Sequence, residues 1–290
     1  MLMAFAFLLA AALPVQPSLG SAVSIQVGVG GQAVELLRSA VWNKPERWEL
    51  LWPVWRAAFI RKGLVTVHVP KAGGTSVVTA LYGRERSASQ HYAYSELASD
   101  PELAALPSFA VVRNPYWRFV SAYNYLRAGG QADMPIADNL AWARVLATVS
   151  VDELLALLTA REDSGDRRLD ALMAEHGAAD LVMFLPQSRL LCADSGAGAV
   201  LVDSVLRMEE MAASGKVSVP GFGEVVVEHV NPTREKAVTV LSESTAAGIF
   251  RLYRRDFAVF GYDQESWRGS MSAAERWRRG GVATTARVLN

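Results

Sequence analysis

The sequence predicts an α/β fold, and three observations carry that expectation. Leu64 to Leu81 reads as a short apolar strand, a glycine turn and a helix. Phe109 to Leu126 repeats the same order: an apolar strand, a polar turn and a helix opening on Asn114 and Pro115. Two strand–turn–helix units in one chain favour a sheet layered with helices. The chain has 290 residues, 51% of them hydrophobic, which fits one sizeable domain with attachments, or at most two domains.

The first 62 residues read as attachments. Met1 to Leu13 is an unbroken apolar and alanine run, ended by Pro14. It is shorter than the roughly 18 residues of a spanning helix. It has the look of a signal-peptide core, with small residues at Leu19 to Ala22 as a cleavage region, although no Lys or Arg precedes it. A buried helix or a misassigned start is the alternative. The expected division is an apolar leader over 1–22, a Trp-rich extension over 23–62, a main domain over 63–263 and a basic polar tail over 264–290. Secretory or membrane association follows if the leader targets, and a cytoplasmic location otherwise.

Within the extension, Gly28, Gly30 and Ala33 match G-x-G-x-x-A. No second strand ending in an acidic residue follows, so a dinucleotide site is not expected there. Trp48, Trp52 and Trp55 recur at near-helical spacing, with Trp42 upstream, but Pro53 argues against one continuous helix. These rings are expected to pack the extension onto the main domain or a membrane surface.

Leu64, Val65, Val67 and Val69 form the first strand, followed by Pro70, Lys71, Ala72, Gly73, Gly74, Thr75 and Ser76. A helix start offers unpaired N–H groups and partial positive charge to an anion. Lys71 adds a full charge, and Thr75 and Ser76 add hydroxyls. Glycine allows close approach of backbone to the anion. A nucleotide-triphosphate loop, G-x-x-x-x-G-K-S/T, places its lysine after the last glycine. Here Lys71 precedes Gly73 and Gly74, which argues against a magnesium-dependent kinase.

Arg113 stands at the carboxyl end of the second strand, where open α/β sheets bind ligands. The pattern P-K-x-G-G-T-S resembles the 5′-phosphosulfate loop of sulfotransferases that use 3′-phosphoadenosine 5′-phosphosulfate (PAPS). It is closest to Golgi-type carbohydrate sulfotransferases and their bacterial relatives. The run V-R-N-P-Y-x-R-F-V-S-A-Y-x-Y is similar to that family's 3′-phosphate segment. The resemblance implies a P-loop-like parallel sheet with helices on both faces. It implies that Lys71 and the backbone of Gly73, Gly74, Thr75 and Ser76 hold the 5′-phosphosulfate, and that Arg113 and Ser121 hold the 3′-phosphate. Arg118 and Tyr123 support the helix. The base would come from the loop between the two segments: His91, with Glu96 as the next candidate. No metal is required.

Further along, 128–139 reads as a loop, Leu140 to Leu158 carries helical periodicity with a helix start at Val151-Asp152-Glu153, and Ala160 to Arg168 reads as a solvated linker. Phe184 to Ser188 resembles a family P-Q-S element on the substrate-facing side. Val200 to Met211 reads as strand then helix, with Arg207 and Glu209 structural. His229 to Arg234 resembles the family's H-V-N segment, which makes Arg234 a phosphate-contact candidate and His229 a weaker rival as base. Ile249 to Tyr262 matches the family's closing helix.

Basic and acidic residues balance at 29 each, so nothing points to nucleic acid. Cys192 is the single cysteine, which excludes an internal disulfide. No N-x-S/T sequon occurs. The expected activity is sulfuryl transfer from PAPS to a hydroxyl acceptor, a carbohydrate by resemblance. A nucleotide kinase or an inactive PAPS- or glycan-binding relative is the alternative. Acceptor and oligomeric state are left open.

Overall fold

A computed structural model of the chain describes residues 52–83, 91–131, 134–135, 137–193, 199–227 and 240–268, all within one compact unit. The architecture is mixed α/β around a three-stranded parallel sheet of order β1-β2-β5. Strand β1 is Val65–Val67, β2 is Ser108–Val112 and β5 is Ser204–Arg207. The register pairs Val65 with Ser108 and Phe109 with Ser204. Parallel neighbours require crossovers. Helix α2, Gly74–Tyr82, follows β1, and α5, Pro115–Arg127, follows β2. Strand β5 runs directly into α10, Met208–Ser214.

Side-chain alternation along β2 shows how the sheet is covered. Phe109 and Val111 join Val77, Leu81, Met208 and Met211 on one side. Ala110 and Val112 join Trp55, Phe59, Leu190 and Phe260 on the other. The second group comes from α1 (Trp52–Lys62), α9 (Gln187–Leu191) and α12 (Arg254–Phe260). Pro53 sits in the first turn of α1, where its missing N–H costs nothing, and the helix then buries Trp55 and Phe59 in the sheet core.

A separate helical core lies around α5, α6 (Ala137–Thr148), α7 (Val151–Ser164), α8 (Arg168–His176) and α11 (Glu243–Leu252), with Phe119, Trp142, Leu154, Leu155 and Tyr253 at its centre. Two expectations change here and one is met. The helix start expected at Val151 is present: residues 140–158 divide between α6 and α7, and Ser150 caps α7 in a reciprocal box with Glu153. The expected linker over 160–168 is the last turn of α7, a left-handed Gly165 and the start of α8. Its charges pair on the surface, Arg161 and Arg167 with Asp170 and Arg168 with Asp166. The closing helix is also two, broken at Tyr253, whose buried hydroxyl donates to the Phe184 carbonyl.

The remaining described elements are short. Helices α3 (Tyr94–Leu97) and α4 (Pro101–Ala104) lead into β2. Residues 130–131 and 134–135 form a small antiparallel pair, β3 and β4. Strands β6 (Lys216–Val219) and β7 (Gly223–Val226) form a hairpin after α10. No described helix is long and apolar enough to cross a membrane. The apolar leader, the Gly28–Ala33 fingerprint, His229, Arg234 and the tail from residue 269 lie outside the described residues.

Candidate functional site

Strand β1 ends at Val67, and the chain turns sharply through Pro70 to Gly73 before entering α2. Lys71 holds φ at 63°, left-handed backbone that a side chain normally avoids. Two arginines fix the turn. Arg118 Nε donates to the Pro70 carbonyl at 3.0 Å, and Arg113 Nη1 donates to the Lys71 carbonyl at 3.2 Å. The first turn of α2 carries no side-chain cap, in contrast to Asn114 on α5 and Ser150 on α7.

The two glycines have a packing reason that the sequence does not display. A Cβ on Gly74 would sit 2.3 Å from Cδ2 of His68, and one on Gly73 would sit 3.1 Å from Cε of Met211. The turn therefore lies flat against the strand end and α10. Thr75 is partly exposed, while Ser76 is buried.

Lys71 and Arg113 meet at the carboxyl ends of the adjacent strands β1 and β2. The Lys71 ammonium lies 3.7 Å from the centroid of the Tyr125 ring. Burial, together with the charge of Arg113, holds its pKa down at about 7. Burial also lowers the Arg113 guanidinium from its ordinary range, while Glu209 and Tyr262 pull it back. Among the described residues neither cation has a carboxylate within ion-pair distance. Two adjacent cations in a poorly solvated corner repel each other and attract an anion.

Arg113 is held by its backbone. Gln187 Oε1 accepts from the Arg113 N–H at 2.9 Å, and Gln187 Nε2 donates to the Arg113 carbonyl at 2.8 Å. The next residue, Asn114, gives its N–H to Glu209 and caps α5 with its side chain. Glu209 also accepts from the Tyr262 hydroxyl, and Arg207 Nη2 donates to the carbonyls of Phe260 and Gly261, so both act structurally. Ser121 lies one helical turn before Tyr125 on α5, with Trp117 one turn earlier. These three are the partly exposed stripe of a helix that is otherwise buried up to Leu126, so Ser121 shares a face with the ring beneath Lys71.

His91 approaches the same strand end. Its Nδ1 lies 3.1 Å from the His68 carbonyl, and the two rings stand 4.8 Å apart. A carbonyl only accepts, so Nδ1 carries the proton and the lone pair of the neutral ring is on Nε2. Glu96 is otherwise employed: its carboxylate accepts from the Ala93 N–H at the start of α3 and faces solvent.

Sequence reasoning missed several residues. Gln187 and Ser188, in the stretch expected on the substrate-facing side, are buried, and Gln187 bonds the backbone of Arg113. His68 was overlooked, although a histidine at the end of an apolar strand is itself a signal. Tyr125 and Asp256 were missed as well. Asp256 is fully buried and accepts from the N–H groups of Gln187 and Ser188 at 2.8 and 2.9 Å. Nothing in its local sequence separates it from a surface acid. No protein-family model, curated protein or solved structure matches this chain.

Proposed function

We propose that this protein is a sulfotransferase that moves a sulfuryl group from PAPS to a hydroxyl acceptor, a carbohydrate in the first instance, on a sulfotransferase-type P-loop fold. One observation carries the reading. Lys71 and Arg113, from the ends of two adjacent parallel strands, converge within hydrogen-bond reach of one another's segment and have no carboxylate partner among the described residues. A nucleotide with phosphate at one end and phosphosulfate at the other suits such a pair. The uncapped first turn of α2 adds backbone donors.

In this reading the acceptor hydroxyl attacks sulfur as its proton passes to Nε2 of His91. The bond from sulfur to the bridging oxygen of the 5′-phosphate breaks, and 3′-phosphoadenosine 5′-phosphate leaves. Lys71 stabilises the charge that develops on that oxygen. Backbone N–H groups of Gly73, Gly74 and Thr75 hold the 5′ end, the Ser76 N–H donating instead to the Gly73 carbonyl, while Arg113 and Ser121 hold the 3′-phosphate. Arg234, outside the described residues, is a further candidate for phosphate contact.

The test is incubation with sulfur-labelled PAPS and a panel of sugars, alcohols and tyrosine peptides. Label appearing in an acceptor supports transfer. ATP consumption with magnesium instead supports the kinase alternative, and nucleotide binding without transfer supports an inactive relative. No binding of PAPS at all overturns the proposal.

A further inference from the structure

We infer that Gln187 is the positioning residue for Arg113, and that Asp256 holds Gln187 in place to do so. What Arg113 binds rests on the sulfotransferase reading; the positioning itself does not. Arg113 lies one residue beyond β2, whose last pairing on one side is Val112 with Arg207 and on the other Ala110 with Val67. Neither neighbouring strand reaches it. Its N–H and carbonyl would be left unpaired in a buried setting, a costly state for backbone groups. The Gln187 carboxamide takes both at 2.9 and 2.8 Å, as the peptide group of an added strand would. Gln187 is 0% exposed, so water cannot substitute.

The backbone that carries the carboxamide is itself anchored. Asp256, on α12, accepts from the N–H groups of Gln187 and Ser188. Arg118 donates to the carbonyls of Met183 and Leu185, and the Tyr253 hydroxyl donates to that of Phe184. Residues 183–188 are thereby tied to α5 and α12, and Gln187 transmits that fixed position to Arg113. The same hold sets where the guanidinium stands, over the Lys71 carbonyl. A displacement of about 1 Å in such a group lowers effectiveness by up to roughly a hundredfold.

Two variants separate positioning from simple packing. Gln187→Leu removes donor and acceptor at similar volume. Gln187→Glu keeps the acceptor for the Arg113 N–H in either charge state and supplies the donor to the Arg113 carbonyl only when protonated. The charged groups bonded to residues 183–188, or belonging to or bonded to the segment Arg113–Asn114, are Asp256, Arg118, Arg113 and Glu209, while Arg189 on the same helix pairs with Glu162 and Arg255 on α12 donates to the Ala193 carbonyl. Hydrogen exchange at the Arg113 amide is read without ligand. It should be protected in wild type, open in Gln187→Leu, and protected in Gln187→Glu, whose carboxyl oxygen still accepts from the Arg113 N–H. Affinity for 3′-phosphoadenosine 5′-phosphate should then fall about tenfold to a hundredfold in Gln187→Leu, with little change for adenosine 5′-phosphate, which lacks the 3′ group. In an Arg113→Ala background the Gln187→Leu effect should vanish. Retained protection in Gln187→Leu, or additive losses in the double variant, overturns the inference. Lost protection in a protein that shows no preference for the 3′-phosphate upholds the positioning and removes the nucleotide reading instead.

Discussion

Replacing Lys71 by Met should make this protein more stable and less active, and the stability gain should depend on pH. The ammonium is held at a pKa of about 7 against an ordinary 10.5 by burial and by Arg113. The difference, 10.5 minus 7, is about 3.5 units at about 1.4 kcal/mol each. That sets a ceiling of about 5 kcal/mol on what the charged form costs the folded state. Lys71 keeps some exposure, and the variant loses the contact with Tyr125, so about 1–3 kcal/mol is the expected gain. The sign follows from proton counts. Between pH 7 and 10.5 the unfolded chain binds more protons at this site than the folded one, so wild-type stability rises with pH across that window. The Met variant lacks this dependence. Urea unfolding at pH 6 should show the variant ahead by about 1–3 kcal/mol, with the gap closing by pH 10. A gap of the same size at both pH values, or a less stable variant at pH 6, would refute the electrostatic account. Sulfuryl transfer by the same variant should fall on the order of a hundredfold, the usual effect of losing one donor aimed at developing charge. Near-normal turnover would remove Lys71 from that role.

Three further outcomes follow from the same site. Arg113→Ala should raise the Kd for 3′-phosphoadenosine 5′-phosphate by about 10–100-fold, measured by calorimetry, with a smaller effect on turnover at saturation; an unchanged Kd would detach Arg113 from the 3′-phosphate. Nucleotide binding should take up a proton at pH 7 to 8, because an adjacent polyanion returns Lys71 to its charged form; titration in buffers of different ionisation heat would reveal it, and zero net uptake would contradict the depressed pKa. Gly74→Ala should destabilise by about 1–3 kcal/mol through the 2.3 Å approach to His68, and His68→Ala should relieve part of that loss in the double variant; simple additivity of urea midpoints would show that the glycine serves something other than packing.

The fold was legible where local chemistry decided it. The hydrophobic runs before Pro70 and Arg113 became adjacent parallel strands, and Asn114 capped its helix as its identity demanded. The helix start at Val151 was equally legible: Val151-Asp152-Glu153 opens α7, and Ser150 with Glu153 forms the capping box that fixes the boundary. The break at Tyr253 was not readable, since it is set by a partner at Phe184, far away in sequence. The site divides in the same manner. Lys71 and Arg113 are visible because cations at strand ends follow a local pattern. Gln187 and Asp256 act through hydrogen bonds to the backbone of residues dozens of positions away. Backbone groups look alike in every sequence, so residues that bind them leave no mark on their targets.

That division explains why the turn glycines display only one of their reasons. Glycine before a helix reads as space for a phosphate. Here the Cβ positions of Gly73 and Gly74 are filled by Met211 and His68, so the missing side chains let the turn settle onto the sheet. The consequence for the site is indirect. Seating the turn this low brings the Lys71 carbonyl within reach of Arg113, places the ammonium over Tyr125 and leaves the first turn of α2 uncapped. The strained φ of Lys71 completes the same geometry. Glycine at position 71 would relax that strain by about 1 kcal/mol while deleting the charge, so the backbone here is held in a costly shape that places a cation. Strain and unneutralised charge converge on one turn, and an anionic ligand would offset the charge.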